Sequence, residues 1–459
     1  MMREPPFSLL HKPAPMKLTG RRVLILGLGD TGLSVARWVE REGGRTRVAD
    51  TRAAPPRAKD FTGELRTGAF SDVLLEDVDL LCISPGLSLA SALVQQAIQE
   101  GIPVVGDIEL FAWQVRSSSA SKVVAVTGTN GKTTVAALTG HLLRAAGADC
   151  EVAGNIGPAA LSALLERSKR DAMPAIWVLE LSSYQLETTW SLAPDAAAML
   201  NLTEDHLDRY SSLADYGAAK ARIFHGDGVQ VVNRDDPRSM AMARPGGARM
   251  SFGLDAPARV MDFGVKGGAL AQGEKAFLEI QKLQIHGAHN IANALAACAL
   301  ARSMGASLEA LAAGLGSFRG LPHRLELVAT RRGVEWYDDS KGTNVGATVA
   351  ALSGLSRKAV LIAGGEGKGQ DFSPLRAAVR KFTGGVLLIG RDAPLIEQAL
   401  GGFPAETFSS LEAAVARAAE IAQPGEAVLL SPACASFDMF RDYRHRGEVF
   451  AAAVRGLGE

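Results

Sequence analysis

A glycine-rich segment of this chain combines the residue types that hold a nucleoside triphosphate. Residues 126–134 read VTGTNGKTT and follow a short apolar run. In such a loop, backbone N–H groups surround the phosphates, the Lys132 ammonium neutralises the γ-phosphoryl charge and the Thr133 hydroxyl ligates Mg²⁺. The general pattern has a glycine five residues before Gly131, where this chain has Val126. The loop is therefore a shortened variant, and a glycine-rich turn without a ligand is the alternative.

Three polar residues further along could act beside this loop. Glu180 ends the apolar run 176–179, where a carboxylate can hold Mg²⁺ against the triphosphate. His206 follows another apolar run, but Mg²⁺ prefers oxygen, so His206 taken alone is typical of a structural or capping residue. Lys220 lies in a helical pattern and, taken alone, is typical of a solvated surface lysine.

A second glycine-rich turn, GLGDTG at Gly27–Gly32, follows the first apolar run and precedes a helical pattern. Glycines there permit a tight turn, and the helix N-terminus favours an anion. Asp50 ends the next strand, where an acidic residue could bind a ribose hydroxyl. Alone, this turn indicates an NAD-dependent dehydrogenase. It also suits other nucleotides, or it serves packing only.

The elements that position these residues are short apolar runs alternating with Ala- and Leu-rich helical stretches. Runs buried along their whole length predict parallel strands covered by helices on both faces, so the fold class is α/β. The predicted strands are 23–26, 80–83, 123–126, 176–179, 360–363, 386–389 and 427–430. Nearly every polar cluster follows such a run, and ligands of doubly wound sheets bind at the carboxyl ends of strands.

Length and composition bound the remaining possibilities. A chain of 459 residues predicts about three domains. Boundaries near a Ser-rich linker at 116–121 and a Gly/Pro break at 320–322 give domains at 17–116, 117–320 and 321–459. Residues 1–16 precede the first patterned segment, so they are expected to form a disordered N-terminal arm or to reflect the choice of start site. Acidic and basic residues balance at 49 each, so neither nucleic acid nor a membrane surface is an expected partner.

Signals for export or membrane insertion are lacking in the sequence. No apolar run approaches the ~18 residues of a membrane span, and the start has no apolar signal-peptide core. The four scattered cysteines predict buried, reduced thiols. We therefore expect a cytoplasmic protein.

The GTNGKTT run resembles the ATP loop of the Mur ligases and the folylpolyglutamate synthetases. A preceding Rossmann-like domain favours the Mur ligases, and the likeness extends from about Lys17 to the C-terminus. It is strongest to the family members that add D-glutamate. The segments that carry it are GLGDTG, ADTR (49–52), SPG (84–86), GDIELF (106–111), AGNIG (153–157), LELSSYQLE (179–187), NLTEDHLDRY (201–210), GAHNIANALAA (287–297), GLPHRLE (320–326), DDSKGTN (338–344), GGEGKGQDF (364–372) and LSPACASFDMF (430–440).

The resemblance implies a fold, a reaction and a set of ligands. The N-terminal domain would be Rossmann-like, the central domain a P-loop ATPase-like parallel sheet, and the C-terminal domain Rossmann-like again. ATP would phosphorylate the L-alanine carboxylate of UDP-N-acetylmuramoyl-L-alanine, and the D-glutamate amine would attack the acyl phosphate, giving ADP and phosphate. The implied cofactors are ATP, Mg²⁺ in two sites and a carbamylated lysine at Lys220. A monomer is expected.

The resemblance also implies roles for individual residues, by position in this sequence. The catalytic set is Lys132, Glu180, His206 and Lys220, and the metal ligands are Thr133, Glu180, His206 and carbamylated Lys220. ATP would be held by Gly128, Thr129, Asn130, Gly131, Lys132, Thr133, Thr134, Asn290, Asn293, Arg324, Asp339 and Lys341. The UDP-substrate would contact Thr31, Asp50, Arg52, Gly86, Asn155 and His206. D-glutamate would contact Thr343, Lys368, Ser436, near a predicted helix start, and Tyr443.

Three alternatives stay open at this point. Another Mur ligase could add L-alanine, a diamino acid or a dipeptide, although the L-alanine ligases usually have His where Asn130 stands. The diaminopimelate-adding enzymes have a DNPR signature in the third domain, whereas the similar segment 235–238 follows a strand of the central domain. An NAD-dependent oxidoreductase and a regulatory nucleotide-binding protein without catalysis are the rivals from other classes.

Overall fold

The computed structural model describes residues 12–118, 120–206, 209–285, 287–355 and 357–458. The described residues form three sheets, one in each predicted domain. All seven apolar runs predicted to be strands lie in strands, and the α/β fold class is confirmed. The carboxyl ends of the central strands carry the glycine-rich loop and the polar residues that follow it.

The N-terminal domain is a parallel sheet with the strand order β3-β2-β1-β4-β5. Its strands are β1 (Arg22–Leu26), β2 (Arg45–Asp50), β3 (Glu64–Thr67), β4 (Leu80–Ile83) and β5 (Val104–Val105). Its helices are α1 (Asp30–Arg41), α2 (Ala92–Gln99) and α3 (Asp107–Ser118). The interior strand β4 is buried at every residue, as expected for a strand covered on both faces.

The central domain has the strand order β14-β13-β12-β11-β10-β9-β6-β8-β7. The strands are β6 (Lys122–Thr127), β7 (Cys150–Gly154), β8 (Ile176–Glu180), β9 (Ala196–Met199), β10 (Val229–Asn233), β11 (Arg249–Phe252), β12 (Phe263–Lys266), β13 (Ala269–Gln272) and β14 (Lys275–Glu279). The helices are α4 (Lys132–Ala145), α5 (Ala160–Lys169), α6 (Ser183–Glu187), α7 (Leu213–Ala221), α8 (Pro237–Ala241), α9 (Ala288–Ser303) and α10 (Leu308–Ser317).

One edge of this central sheet departs from the predicted parallel arrangement. The pairs β12–β13 and β13–β14 are antiparallel, whereas the other pairs are parallel. Gly267, Gly268 and Gly273 have positive φ angles of 58°, 77° and 53° at the two connections. Because glycine adopts this region without a Cβ penalty, the chain can reverse in short turns there.

The C-terminal domain has the strand order β15-β16-β20-β17-β18-β19, in which only the β15–β16 pair is antiparallel among the described residues. Its strands are β15 (Glu326–Arg331), β16 (Val334–Asp338), β17 (Ala359–Gly364), β18 (Thr383–Ile389), β19 (Ala405–Phe408) and β20 (Ala427–Leu430). Its helices are α11 (Val345–Gly354), α12 (Leu375–Phe382), α13 (Ala393–Leu400), α14 (Leu411–Ile421) and α15 (Tyr443–Gly456).

The structure can be compared with the predicted domain boundary at residue 116 and with the predicted N-terminal arm. Helix α3 continues to Ser118, two residues beyond the predicted boundary at 116. In the segment predicted as an N-terminal arm, residues 1–11 lie outside the described residues. Residues 12–16 have no regular secondary structure, yet Pro13 is buried and Met16 packs against the core.

Two findings bear on the predicted environment of the chain. Within the described part of the chain, no helix has the length and apolar character needed to cross a membrane. Cys82, Cys150, Cys298 and Cys434 are all buried and unpaired, as the sequence predicted.

Candidate active site

The glycine-rich loop joins β6 to α4, and its glycines allow close contacts. Gly131 has a φ of 85°, and a Cβ there would overlap the side-chain oxygen of Asn293. Lys132 is the first residue of α4, and its Nζ donates hydrogen bonds to the carbonyl oxygens of Gly128 at 2.9 Å and Thr129 at 2.7 Å. The lysine thus lies against the loop, where it can meet a phosphate bound by the backbone N–H groups.

Side-chain amides from two other segments hold this loop in place. Asn201 Oδ1 accepts from the backbone N of Asn130 at 2.8 Å, and Asn201 Nδ2 donates to the Asn130 carbonyl oxygen at 3.1 Å. Asn344 Nδ2 donates to Asn130 Oδ1 at 3.0 Å and so connects the C-terminal domain to the loop. Neither Asn201 nor Asn344 was predicted as a site residue, although they lie in the motif segments 201–210 and 338–344.

A central cavity of about 380 Å³ brings the predicted catalytic residues together. The central domain supplies residues from the ends of β6, β7 and β8, from α7 and from the segment after β9. The loop after β4 adds residues from the N-terminal domain, and the C-terminal domain supplies the others. The predicted site residues in its wall are Gly86, Thr129, Asn130, Gly131, Lys132, Thr133, Asn155, Glu180, His206, Lys220, Arg324, Lys341, Thr343 and Lys368.

Glu180 presents a buried carboxylate oxygen to this cavity. Its side chain is 1% exposed, and Oε1 accepts a hydrogen bond from Asn155 Nδ2 at 2.8 Å. Among the described residues, Oε2 has no hydrogen-bond partner. An unsatisfied buried polar atom costs about 1–3 kcal/mol, and more when it is charged. A hard cation such as Mg²⁺ would satisfy this oxygen, so the residue fits a metal-ligand role.

His206 adopts the left-handed backbone region, with a φ of 57°, and its ring lies 5.0 Å from the Tyr184 ring. Burial lowers the pKa of His206 to about 4, with nearby lysines acting in the same direction against Asp205. The imidazole is therefore neutral near pH 7, which is the form that can offer a lone pair to a metal.

Asp205 is a cavity residue that the sequence analysis did not single out. Its carboxylate lies 3.8 Å from Lys368 Nζ and accepts from Asn344 Nδ2 at 3.4 Å. Although burial alone would raise its pKa, the charges of His206 when protonated, of Lys368 and of Lys132 hold that pKa below its ordinary value. Asp205 directly precedes His206, and this adjacency was the available signal.

Lys220 is buried beneath the glycine-rich loop and is not a surface lysine. The residue is 1% exposed, and its Nζ donates to the Gly128 carbonyl oxygen at 2.9 Å and lies 3.5 Å from Thr127 Oγ1. Tyr216, one turn earlier on α7, places its ring 4.6 Å from the ammonium. Burial lowers the pKa of Lys220 well below its ordinary value, and Lys132 adds to the effect.

A second cleft of about 280 Å³ adjoins the central cavity between the central and C-terminal domains. Asn290 and Asn293 on α9 face it together, with Asn293 Nδ2 donating to Asn290 Oδ1 at 3.3 Å. Predicted ATP contacts in its wall are Asn130, Gly131, Thr134, Asn290, Asn293, Arg324, Asp339 and Lys341. Asn130, Gly131, Arg324 and Lys341 line both spaces, so the cleft opens onto the central cavity.

Three charged residues of the C-terminal domain lie at this junction. Burial lowers the pKa of Arg324 from its ordinary value, and it lowers the pKa of Lys341 to about 8, with Arg324 contributing. Burial raises the pKa of Asp339 to about 7, while the Ser431 hydroxyl donates to its Oδ2 at 2.7 Å. A polyphosphate bound here would offset the mutual repulsion of the two cations.

A third cavity, of about 950 Å³, lies on the other side of the central cavity at the N-terminal domain. Thr31, Asp50, Arg52, Gly86 and Asn155, all predicted to contact the UDP-substrate, line it. A Cβ on Gly32 would overlap the Gly27 carbonyl oxygen, so a glycine is required where α1 approaches the turn. Arg444 of α15 also lines this cavity, a contact from a distant domain that the sequence analysis missed.

Asp50 orients its neighbours within this cavity. Oδ2 accepts from Leu28 N and Arg52 Nη2, both at 2.7 Å, and Oδ1 accepts from Arg52 N and Nε, both at 2.9 Å. The hydrogen bond from Arg52 lowers the pKa of Asp50 to about 2, against the opposing effect of burial. Four donors occupy the carboxylate, so it fixes the turn and Arg52 and offers little to a ribose hydroxyl.

The structure divides the predicted D-glutamate residues into two pairs. Thr343 and Lys368 line the central cavity. Ser436 is 2% exposed and Tyr443 is half-buried, and neither is among the described residues that line that cavity. Ser436 lies in a turn, so the helix predicted near it is wrong; the next helix, α15, begins at Tyr443. The Tyr443 ring lies 4.0 Å from Lys341 Nζ.

The three adjoining cavities provide the charges and the space for a reaction between two bound molecules. Lysine and arginine cations and carboxylate oxygens surround the space between the cleft and the large N-terminal cavity. Pro85, Gly86 and Asn155 line both the central and the N-terminal cavity, so a long ligand can extend from one into the other. Such a site suits phosphoryl transfer between two bound molecules, which depends on positioning and charge neutralisation.

Three family models match consecutive parts of the chain. A Mur ligase MurD-like N-terminal domain matches residues 21–106, and a Mur ligase middle domain matches residues 126–301. A Mur ligase glutamate ligase domain matches residues 323–434.

Curated relatives and solved structures resemble the chain over nearly its whole length. UDP-N-acetylmuramoylalanine--D-glutamate ligases of Nitrosospira multiformis and Thiobacillus denitrificans are 53% and 52% identical to it, covering 96% of the chain in each case and 97% and 98% of the relatives. A UDP-N-acetylmuramate-alanine ligase from Thermotoga maritima has a TM-score of 0.63 at 19% identity, with 95% of this chain and 99% of that one covered. A UDP-N-acetylmuramoylalanyl-D-glutamyl-2,6-diaminopimelate--D-alanyl-D-alanyl ligase from Acinetobacter baumannii has a TM-score of 0.56 at 17% identity, covering 95% and 93%. These structural neighbours share the fold.

Proposed function

The chain belongs to the Mur ligase family, and we propose that it joins D-glutamate to UDP-N-acetylmuramoyl-L-alanine at the expense of ATP. The product enters the synthesis of peptidoglycan precursors. The observation that carries the proposal is the series of connected cavities: a cleft at the glycine-rich loop, a central cavity and a long N-terminal cavity. In this order, the cleft would hold the nucleotide, the central cavity the reacting groups and the N-terminal cavity the UDP-sugar.

The first chemical step is phosphoryl transfer from ATP to the L-alanine carboxylate. Backbone N–H groups of the loop hold the phosphates, and Lys132 neutralises charge on the transferring group. Arg324 and Lys341 approach the same region from the C-terminal domain, where the cleft meets the central cavity. The residues therefore act by orientation and electrostatic stabilisation.

Mg²⁺ is proposed in two sites, supported by the donor atoms available. Thr133, Glu180, His206 and a carbamylated Lys220 would together hold the ions, with the carbamate beside Glu180 and His206. The unpartnered Glu180 Oε2 and the neutral imidazole of His206 fit this role. The ions would neutralise phosphate charge, which is what divalent cations supply in phosphoryl transfer.

The proposed modification of Lys220 is a carbamate. Carbon dioxide would add to the neutral amine, forming an Nζ–C bond with loss of one proton and leaving an anionic carboxylate. Burial beneath the loop favours the neutral amine that this addition requires. A carbamate oxygen is also a better partner for Mg²⁺ than an ammonium group.

In the second step the D-glutamate amine attacks the acyl phosphate, and phosphate leaves from a tetrahedral intermediate. Lys368 and Thr343 in the cavity wall would bind the D-glutamate carboxylates. Ser436 and Tyr443 remain assigned to D-glutamate by the family resemblance, and domain closure on substrate binding would bring them to the cavity.

We place the reaction in the cytoplasm and propose that the protein acts as a monomer. ATP and a UDP-activated sugar are the substrates, and the four buried, unpaired cysteines fit a reducing compartment.

The proposed function predicts that ADP formation requires both co-substrates and Mg²⁺. The acyl acceptor carboxylate comes from the UDP-sugar, and D-glutamate completes turnover by removing the acyl phosphate. Phosphate release measured with UDP-N-acetylmuramoyl-L-alanine and a panel of amino acids should select D-glutamate. A higher rate with L-alanine, a diamino acid or a dipeptide would assign the chain to another ligase of the family. Reduction of a substrate by NADH without ATP would contradict the proposal entirely.

Arg324→Ala should lower turnover by at least ~10-fold while leaving the affinity for the UDP-substrate within about 2-fold, because it removes a charged hydrogen-bond donor at the ATP side only. Arg324 lines the cleft and the central cavity, whereas Arg52 lines the N-terminal cavity. Calorimetric titration with each ligand and steady-state kinetics would measure both effects. Arg52→Ala is the matched variant and should show the reverse pattern. Loss of UDP-substrate binding in Arg324→Ala would refute the domain assignment.

A further inference from the structure

Arg209 connects the N-terminal domain to the central domain beside the reacting centre. Its Nη1 donates to the carbonyl oxygens of Pro85 at 3.3 Å and Leu87 at 2.7 Å, in the loop that follows β4. Its Nη2 donates to Glu187 Oε2 at 2.8 Å, at the end of α6. The two side chains are 14% and 5% exposed, so this charge pair is buried within the central domain, while the Nη1 bonds reach the N-terminal domain.

The two carbonyls that accept from Arg209 flank Gly86. Pro85 and Gly86 line both the N-terminal cavity and the central cavity, so this loop forms part of the neck between them. A substrate whose nucleotide lies in the first cavity must pass this neck to place its carboxylate in the second. Arg209 therefore fixes the wall of the passage and is itself outside the described linings of both cavities.

The same guanidinium also supports the wall of the central cavity. Its Cζ lies 4.3 Å from the centre of the Tyr184 ring, a cation–π contact. The Tyr184 ring lies 5.0 Å from the His206 ring, and both residues line the central cavity. The planar guanidinium thus contacts the loop after β4, the buried Glu187 carboxylate and the Tyr184 ring at the same time. A lysine ammonium, as a compact point charge, does not match this geometry.

We propose that Arg209 is a positioning residue that sets the neck and so aligns the acceptor carboxylate of a bound UDP-sugar with the reacting centre. This inference rests on the proposed function. The proposal predicts different effects on two ligands. UDP alone would occupy only the N-terminal cavity, whereas the full substrate must also pass the neck.

The experiment compares these two ligands in Arg209→Met by calorimetric titration. The affinity for UDP should stay within about 2-fold of wild type, because no cavity contact of the nucleotide is removed. The affinity for UDP-N-acetylmuramoyl-L-alanine should fall by about 10-fold or more, since several charge-assisted hydrogen bonds to the neck are lost. In kinetics, the KM for ATP should stay unchanged while kcat falls.

A second variant separates positioning from folding. Arg209→Met leaves the Glu187 carboxylate buried without its cation and should lower the Tm, on the order of 10 °C. Arg209→Met combined with Glu187→Gln removes that leftover charge and should recover most of the Tm without recovering affinity for the full substrate. Arg167→Met is the matched control, because Arg167 is 18% exposed and pairs with Asp149 and Glu151 within the central domain. It should lower the Tm and leave both affinities unchanged.

The outcomes decide between the possible roles of Arg209. Wild-type affinity for the full substrate in the double variant would overturn the proposal and leave Arg209 as a partner for Glu187 only. Equal weakening of UDP and of the full substrate would overturn it as well, because the neck would then play no separate part. If Arg209→Lys has the wild-type affinity for the full substrate, a positive charge alone is sufficient at this position and the planar guanidinium is not required. If the wild-type protein binds UDP-N-acetylmuramoyl-L-alanine no better than UDP, the proposed function fails, and this inference fails with it.

Discussion

Lys132→Ala is expected to lower kcat by at least ~10²-fold, as is typical when a preorganised electrostatic donor at the transition state is removed. The Lys132 ammonium lies against the glycine-rich loop, bonded to the carbonyl oxygens of Gly128 and Thr129. On ATP binding it can turn to the phosphates, where charge develops during transfer. Steady-state phosphate release at saturating concentrations of all three substrates would measure the loss.

The fold should survive this substitution. Lys132 is half-buried at the wall of an open cavity, so water can solvate the two carbonyl oxygens that lose their donor. We therefore expect Lys132→Ala to have an unchanged Tm and a strongly lowered kcat. A variant that folds and keeps near-normal turnover would remove the loop lysine from the mechanism.

Much of the architecture that positions Lys132 could be predicted from local sequence patterns. Continuous apolar runs have few alternatives to buried parallel strands, and a polar motif after such a run must lie at the carboxyl edge of its sheet. Asn290 and Asn293 face the same cleft because three residues nearly complete a helical turn. Periodicity and strand order thus determine these placements.

Contacts between domains could not be predicted in the same way. Arg444 reaches the N-terminal cavity from α15, and Asn344 bonds the glycine-rich loop from the C-terminal domain. Lys220 looks like a surface lysine on its own helix, and only the packing of α7 beneath the loop buries it. Such placements depend on how separate hydrophobic cores pack together, which a local pattern does not encode. The proposed role of Lys220 comes from the resemblance to a family, whereas its burial is visible only in the folded chain.

Lys220→Ala is expected to lose most of the activity, by ~10²-fold or more if a metal-ligating anion disappears from the phosphoryl-transfer site. The proposed carbamate would contribute an anionic oxygen beside Glu180, whereas an unmodified ammonium would add positive charge next to Lys132. Acetate in the buffer should restore part of the lost activity in Lys220→Ala, because it can place a carboxylate in the vacated space. Activity measured against acetate concentration would test this rescue, with Lys132→Ala as the variant that acetate should not rescue.

A charge-retaining variant separates the two possible roles of Lys220. If its cation merely holds the loop through the Gly128 carbonyl oxygen, Lys220→Arg keeps a donor and should retain substantial activity. If the carbamate is required, Lys220→Arg should be as inactive as Lys220→Ala. The guanidinium stays protonated near neutral pH and therefore does not add carbon dioxide. Carbon-13 NMR of protein equilibrated with labelled bicarbonate should show a carbamate signal in wild type that is missing from both variants. An active Lys220→Arg enzyme without that signal would establish Lys220 as a cationic support of the loop.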